Sequence, residues 1–328
     1  MHASNNTRRV RSLIAAIETL ELRTLLSAAF DITSLTALRN NPAFSNITGQ
    51  GVGIAVLDTG VDAKNPDLSA NVVAFYNAVE NQPTGATTAV ANAVDGDGHG
   101  SHVSGIAASS NPAIGVAYGA KLIDIKVIPD ANESQLGGDP LLRGLEWVAM
   151  NYTTYNIKVV NMSLGEPGVN ENAVTSADTR NAEAVEIKTL QNLGITVVSA
   201  SGNSYANAPT AGESFPAVVS TIGVANTWAN SGQASDFNVP YGESGDTYYA
   251  IDYSATPDTL ASTSQRSTLN NQLAAPGEDI YSTWNGTLDS SNGSDLLHNT
   301  ISGTSMATPF VSGVVALMQD AAKYFGGH

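Results

Sequence analysis

The 328-residue chain contains no cysteine. That absence excludes disulfides, thiolate metal sites and a cysteine nucleophile, and leaves the redox compartment open. Positive charge is also scarce, with 14 Lys and Arg against 30 Asp and Glu and a net charge of −16. So few cations form no basic patch able to neutralise phosphates, which argues against a nucleic-acid partner. No apolar run is long enough to read as a membrane-spanning helix. Gly, Ala, Ser, Thr and Asn are abundant, and 42% of residues are hydrophobic, enough for a substantial core. The length suits one large domain or two small ones.

Near the N-terminus "TRRVRSLIAAIETLELRTLLSAAF" begins basic and ends in small residues, as an export signal does, yet Glu18, Glu21 and Arg23 interrupt the apolar part, and residues 1–29 are set apart from the fold. The phrase "LELRTLLSA" resembles the LEPR-XLL motif at the start of many bacterial exported and surface proteins, departing from it at Leu22. An ordinary amphipathic helix is the other reading. Residues 30–48 are expected to be a linker.

From Gly51 short apolar runs alternate with amphipathic stretches. "VGIAVLD", "KLIDIKVI", "IKVVNMSL", "ITVVSASGN" and "AVVSTIGVAN" read as buried strands. "SHVSGIAAS", "DPLLRGLEWVAMNY" and "TSADTRNAEAVEIKTLQNLG" read as helices, the last ending at a Gly194 cap. This rhythm predicts an α/β fold with a mostly parallel sheet covered on both faces. The polar, turn-rich segment 226–270 breaks the rhythm and predicts surface loops or a small hairpin, an insertion around 226–262.

Ligands in such folds bind beyond the carboxyl ends of strands. Asp58 ends the run "AVLD", where loop amides could hold it ionised; an Asx-turn is the commoner role of such a residue. His99 stands among glycines in "DGDGHGSHVSG", and Gly98 and Gly100 give a general base room to turn. His102, three residues on, invites a metal reading, but the zinc-protease spacing of His residues with an intervening Glu is absent. A structural role on the helix suits it better. Asn203 follows the run "VVSASG", from where its amide could donate to an oxyanion. Ser305 lies in "ISGTSMATPF", at the start of an apolar helix, where hydroxyls also serve simply as caps. Proline in the first turn of that helix costs little.

The chain order is Asp58, His99, Asn203, Ser305, and Asp…His…Ser is the order of subtilisins. "VLDTGVDAKNPDL", "DGHGSHVSGIAA" and "GTSMATPFVSGVVAL" closely resemble the signature segments of the subtilisin-like serine proteases, the S8 peptidases. "NPAIGVAYGAKLIDIKVI", "VVNMSLG" and "QLAAPGEDIYST" match further segments of that family. The resemblance implies a three-layer subtilisin-like α/β domain over 49–328 and a secreted or surface-located serine endopeptidase. It implies Ser305 as nucleophile, His99 as base, Asp58 as the orienting acid, and an oxyanion hole of Asn203 and the Ser305 N–H. Ser163, Leu164 and Gly165 would pair with an extended protein substrate, with Leu136 and Gly137 opposite. A monomer is expected, and no cofactor for the chemistry.

The chain departs from the family in several places. The residues before the first strand do not resemble the usual folding proregion. Phe310 stands where the family has His. The chain stops at "AAKYFGGH", short of further family elements, which predicts truncation and an uncovered face on the nucleophile helix. Asp67 matches a calcium-ligand position of the family, but "SSNPAIGV" offers Pro112 where a ligand is often found, and calcium needs six to eight oxygens. A non-catalytic surface or binding module of the same fold is the competing reading. An esterase would need a Gly-x-Ser-x-Gly elbow with Ser first, which is the opposite order.

Overall fold

The computed structural model describes residues 28–80, 89–131, 133, 138–165, 180–206, 212–230, 235–240, 247–252, 256–286, 288–289 and 294–325. Its centre is a seven-stranded parallel sheet. The strands are β1 (Gly53–Asp58), β2 (Val72–Asn77), β3 (Lys121–Lys126), β4 (Ile157–Met162), β5 (Thr196–Ala200), β6 (Ile222–Thr227) and β9 (Gln272–Pro276). Their spatial order is β2-β3-β1-β4-β5-β6-β9. β1 lies between β3 and β4, and every residue of it is buried. That is why it reads as an unbroken apolar run rather than an alternating one.

The second strand, "VVAFYN", is not among the runs identified by sequence. It pairs with β3 at the sheet edge, with Val73 exposed between buried neighbours. The expected strand "AVVSTIGVAN" is shorter than its apolar stretch. Ala217–Val219 form a 3-10 turn, and the strand begins at Ile222. Within 226–262, β7 (Ser235–Pro240) and β8 (Thr247–Asp252) pair as an antiparallel hairpin.

Helix α2 (His99–Ala108) and helix α5 (Thr304–Phe325) cover one face of the sheet. Val103, Ile106, Met306 and Phe310 pack there on Ile54, Val56 and Val159. A Cβ at Gly313 would sit 2.6 Å from Val116 Cβ and 2.9 Å from Ala107 O, so glycine lets α5 seat this closely. The other face carries α3 (Pro140–Tyr155) and α4 (Arg180–Asn192). Asp139 caps α3 through Leu142 N at 3.0 Å, and Pro140 occupies the first helical turn. Trp147 stacks between Tyr76 and Tyr155, with centroids 5.6 and 5.7 Å away. A fully buried aromatic or aliphatic side chain of this kind contributes about 1.5–3 kcal/mol. The α4 chain reverses at Gly194, as its sequence signal predicts.

Residues 30–48 are not a tether. They carry the short helix α1 (Leu35–Asn40), and Phe30, Leu35 and Ile47 are buried in the core. This segment lies against α5. Phe30 meets Phe310 at 6.0 Å between centroids, and Phe44 meets Phe325 at 6.2 Å. Part of the α5 face expected to be bare is therefore covered, and Phe310 has an apolar partner. Met318, Tyr324 and Phe325 remain exposed.

Two small antiparallel pairs complete the described fold. β10 (Ile280–Thr283) pairs with β13 (His298–Ile301), and β11 (Leu288–Asp289) with β12 (Ser294–Asp295).

Candidate active site

The carboxyl ends of β1, β4 and β5 and the amino ends of α2 and α5 meet at one rim of the sheet. Asp58 is the last residue of β1 and is 1% exposed. Its Oδ1 accepts from the His99 ring Nδ1 at 2.7 Å and from Thr59 N at 2.8 Å. Donation from Nδ1 leaves Nε2 of His99 as the free acceptor, on a side chain that keeps 26% of its surface open. Burial lowers the His99 pKa, but the charge and hydrogen bond of Asp58, with Asp97 and Asp95 beyond, outweigh it and raise the value overall.

The glycines around His99 serve a purpose other than freedom to turn. Gly98 has φ +107°, and a Cβ there would lie 2.4 Å from the Trp284 ring. A Cβ at Gly100 would lie 2.1 Å from Gly60 O. They allow close packing that holds the start of α2 in place.

Asp95 does most of that holding and was not singled out by sequence. Its Oδ1 accepts from Thr59 Oγ1, Asp97 N and Gly98 N at 3.0, 3.1 and 2.8 Å. Its Oδ2 accepts from Ser101 N and Ser101 Oγ at 2.8 and 2.7 Å. One buried carboxylate thus joins the residue after Asp58 to both sides of His99. The available signal was an acid four residues before His99, just ahead of a helix start.

His102 takes no part in this network. It is buried with its pKa lowered to about 3, mainly by burial and then by His99. Its Nε2 donates to Ile280 O at 3.0 Å and Asn299 O at 3.2 Å, fastening α2 to β10 and β13.

Ser305 is the second residue of α5, so its N–H belongs to the first turn and has no acceptor within the helix. Its Oγ donates to Ser163 O at 3.1 Å, while Ser163 Oγ donates to Ser305 O at 2.8 Å. No hydrogen bond joins Ser305 Oγ to His99 among the described residues. Asn203 stands beside this turn. Its Oδ1 accepts from Thr304 N and Thr304 Oγ1, both at 2.9 Å, which fixes the amide and leaves Nδ2 as the outward donor. Asn203 Nδ2 lies 3.2 Å from where a Cβ of Gly303 would be, and Gly303 has φ +143°. Any side chain there would be strained and would press on the amide.

Ser163 is buried just past β4, Leu164 is half-buried and Gly165 is exposed. A Cβ at Gly165 would face Ser214 Cβ at 3.3 Å and Phe215 O at 3.4 Å, so Ser214 and Phe215 stand across from this segment. Leu136 and Gly137 lie outside the described residues, as does all but the last residue of the N-terminal "LELRTLLSA". Behind the α5 turn, Gly303 N donates to Gly277 O at 2.8 Å. The adjoining Glu278 is 2% exposed and bonded to Asn226. Burial is the main cause that pushes its carboxyl up to about 8.

The arrangement pairs a buried carboxylate with an imidazole at the same rim of the sheet as the helix turn that carries the Ser305 hydroxyl and binds the Asn203 amide. In general, a carboxylate–imidazole pair can serve as base to a hydroxyl brought within reach, and amide donors can receive a developing oxyanion.

Residues 49–328 match the Subtilase family. Subtilisin Savinase of Lederbergia lenta is 32% identical over 85% of this chain and 80% of its own length. M-protease of Shouchella clausii is 32% identical over 85% of this chain, which spans 57% of that protein's length. The Extracellular protease of Xanthomonas campestris is 32% identical over 88% of this chain and 47% of its own length. Among solved structures, the S41 Psychrophilic Protease superposes with a TM-score of 0.57 at 28% identity, covering 88% of this chain and 83% of that one. Sphericase superposes with a TM-score of 0.56 at 30% identity, again covering 88% and 83%. On the family match over residues 49–328 and the identity to these relatives, the chain belongs to the subtilase family.

Proposed function

We propose that the chain is a serine endopeptidase that hydrolyses peptide bonds through Asp58, His99 and Ser305. The observation that carries this reading is the 2.7 Å Asp58–His99 bond, set at the same rim as the α5 turn that holds Ser305 and Asn203. The Ser305 hydroxyl exchanges its bond to Ser163 O for one to His99 Nε2. His99 takes the proton as Oγ attacks the peptide carbonyl. Asp58 keeps the imidazole in the required tautomer and stabilises the imidazolium without itself taking the proton. Asn203 Nδ2 and Ser305 N–H receive the oxyanion, a donor of this kind being worth about 3–4 kcal/mol. His99 returns the proton to the leaving amine, and water then hydrolyses the acyl-enzyme by the reverse sequence.

The substrate is a protein segment in extended form, added as a strand beside Ser163–Gly165, with Leu136 and Gly137 along its other edge. The half-buried Leu164 and the absence of an acid in "SLG" favour apolar side chains in the adjoining pocket, with Ser214 and Phe215 at its far wall. No cofactor enters the chemistry, and the peptidase acts as a monomer.

Residues 1–29 serve as an export segment of LEPR-XLL type ahead of a peptidase domain at 49–328. A relative named as an extracellular protease supports an exported location, and no described helix is long and apolar enough to cross a membrane. A second reading, a non-catalytic peptide-binding module, is favoured only by the Ser305 hydroxyl donating to Ser163 O rather than to His99.

A fluorophosphonate probe separates the two. The expected result is a single adduct at Ser305, absent from His99→Ala and Ser305→Ala, in protein shown by circular dichroism to be folded. A folded chain left unlabelled would overturn the peptidase reading in favour of the binding module.

A further inference from the structure

The family resemblance puts Asp67 at a calcium-ligand position facing the loop 109–116 (Pro112 already counting against the site), and the residues there do not fit the ion. The Asp67 carboxylate is already engaged by two donors. His298 Nε2 reaches Oδ2 at 3.0 Å and Asn111 Nδ2 reaches the same oxygen at 3.2 Å. Asn111 Oδ1 accepts from Ala113 N at 3.1 Å, so the amide presents an N–H, not a ligand oxygen, to Asp67. The Asp67 carbonyl is occupied by Ser110 N, Ser109 Oγ and Ser110 Oγ.

The loop's own carbonyls do converge on a cation, but that cation belongs to the protein. Arg39 Nη1 donates to Pro112 O at 2.6 Å, and Nη2 donates to Gly115 O at 2.5 Å and Val116 O at 3.0 Å. The guanidinium is flanked by aromatic faces, 4.8 Å from the Phe30 centroid and 5.2 Å from that of Tyr118. No ion pair is formed by Arg39 among the described residues, so these carbonyls and rings are its compensation for partial burial.

We infer that the Arg39 guanidinium is the resident cation of the 112–116 carbonyl cluster, and that the chain takes no calcium there. A backbone cluster that elsewhere would invite a metal is closed by a tethered charge from α1. Calcium needs six to eight oxygens, and the ones on hand are either donated to or turned toward a positive group that repels a second cation. The loop's stability then depends on the 28–48 segment rather than on ion concentration.

The test uses the full chain carrying Ser305→Ala, which prevents self-cleavage and reads stability rather than turnover, so its outcome is separate from that of the peptidase reading. Calcium chloride is titrated by calorimetry, thermal unfolding is compared in calcium and in EDTA, and amide exchange is followed at Ile114, Gly115 and Val116. The expected result is that calcium leaves the exchange of those amides unchanged, whatever heat or shift in midpoint it produces elsewhere in the chain. Adding Arg39→Met should speed their exchange about tenfold or more, the scale of one lost charge-assisted hydrogen bond. Arg39→Lys, a point charge with fewer aligned donors, should fall between. Saturable calcium binding that protects these amides would overturn the inference, as would unchanged exchange in Arg39→Met. If Arg39→Met does not fold, the calcium titration and the Arg39→Lys exchange decide it.

Discussion

Ser163 and Ser305 exchange hydrogen bonds, each hydroxyl donating to the other's carbonyl, at 2.8 and 3.1 Å. The segment proposed to pair with substrate is thereby fastened to the turn that carries the proposed nucleophile. Ser163→Ala removes the donor that holds the Ser305 carbonyl while leaving the backbone in place. We expect kcat/KM to fall roughly tenfold, mostly in kcat, because a nucleophile misplaced by a fraction of an ångström loses reactivity before affinity. Steady-state kinetics on a peptide anilide would check this; a loss confined to KM would assign Ser163 to substrate binding alone.

The acid limb of the activity profile should report His99. The base must be neutral to accept a proton, and its pKa lies above the ordinary value because acids outweigh burial. Activity is then expected to rise with pH through a midpoint above about 6.5. Asp97 is exposed and accepts from His99 N at 3.2 Å, so Asp97→Asn removes one of those negative charges. Its acid limb should move to lower pH with little change in the plateau, and a move to higher pH would contradict the assignment.

Stability should be greatest on the acid side of neutrality, between the ordinary values 4.5 and 6.5 of the two groups, and fall on either side. For His102, shifted from 6.5 to about 3, the unfolded chain binds a proton that the folded chain refuses. Its contribution is intact above the unfolded value and is lost as pH falls from 6.5 toward 3, by up to about 4–5 kcal/mol. Glu278, shifted from 4.5 to about 8, acts in the opposite direction, since the folded chain keeps a proton that the unfolded chain releases. That contribution is lost as pH rises from 4.5 toward 8. Urea unfolding of the Ser305→Ala chain against pH should therefore show a dome. Glu278→Gln, which retains a partner for Asn226, should flatten its alkaline side and leave its acid side unchanged.

Asp320 is 1% exposed near the end of α5, and its Oδ2 accepts from Thr48, Gly49 and Gln50 N at 3.1, 3.0 and 3.0 Å. Lys323 bridges Asp320 Oδ1 and Gln50 O at 3.3 and 2.5 Å. Asp320→Ala leaves three N–H groups without this acceptor, and we expect a loss of about 3 kcal/mol by denaturant unfolding. Lys323→Ala, at a half-exposed position, should cost under about 1 kcal/mol.

The buried parallel strands were legible because both faces of such a strand demand apolar side chains, as in "GIAVLD". The edge strand "VVAFYN" was not, because one outward valine and a polar end obscure that pattern. Asp58, His99, Asn203 and Ser305 could be named from their segments and chain order. Asp95 could not, since its value lies in five hydrogen bonds to four residues that only the fold gathers. Arg39 was equally hidden. Its partners are main-chain carbonyls more than seventy positions away, and carbonyls leave no trace in residue type.

One rod, α5, begins at the proposed nucleophile and ends where Asp320 grips residues 48–50. The family match begins at residue 49, which would make that position a natural place to cut the chain. A cut there would remove Phe30 from beside Phe310, Leu35 and Ile47 from the core, and Arg39 from the 112–116 loop. A piece of this protein meant to fold would therefore keep residues 28–48, whose side chains complete the core ahead of the family match at residue 49.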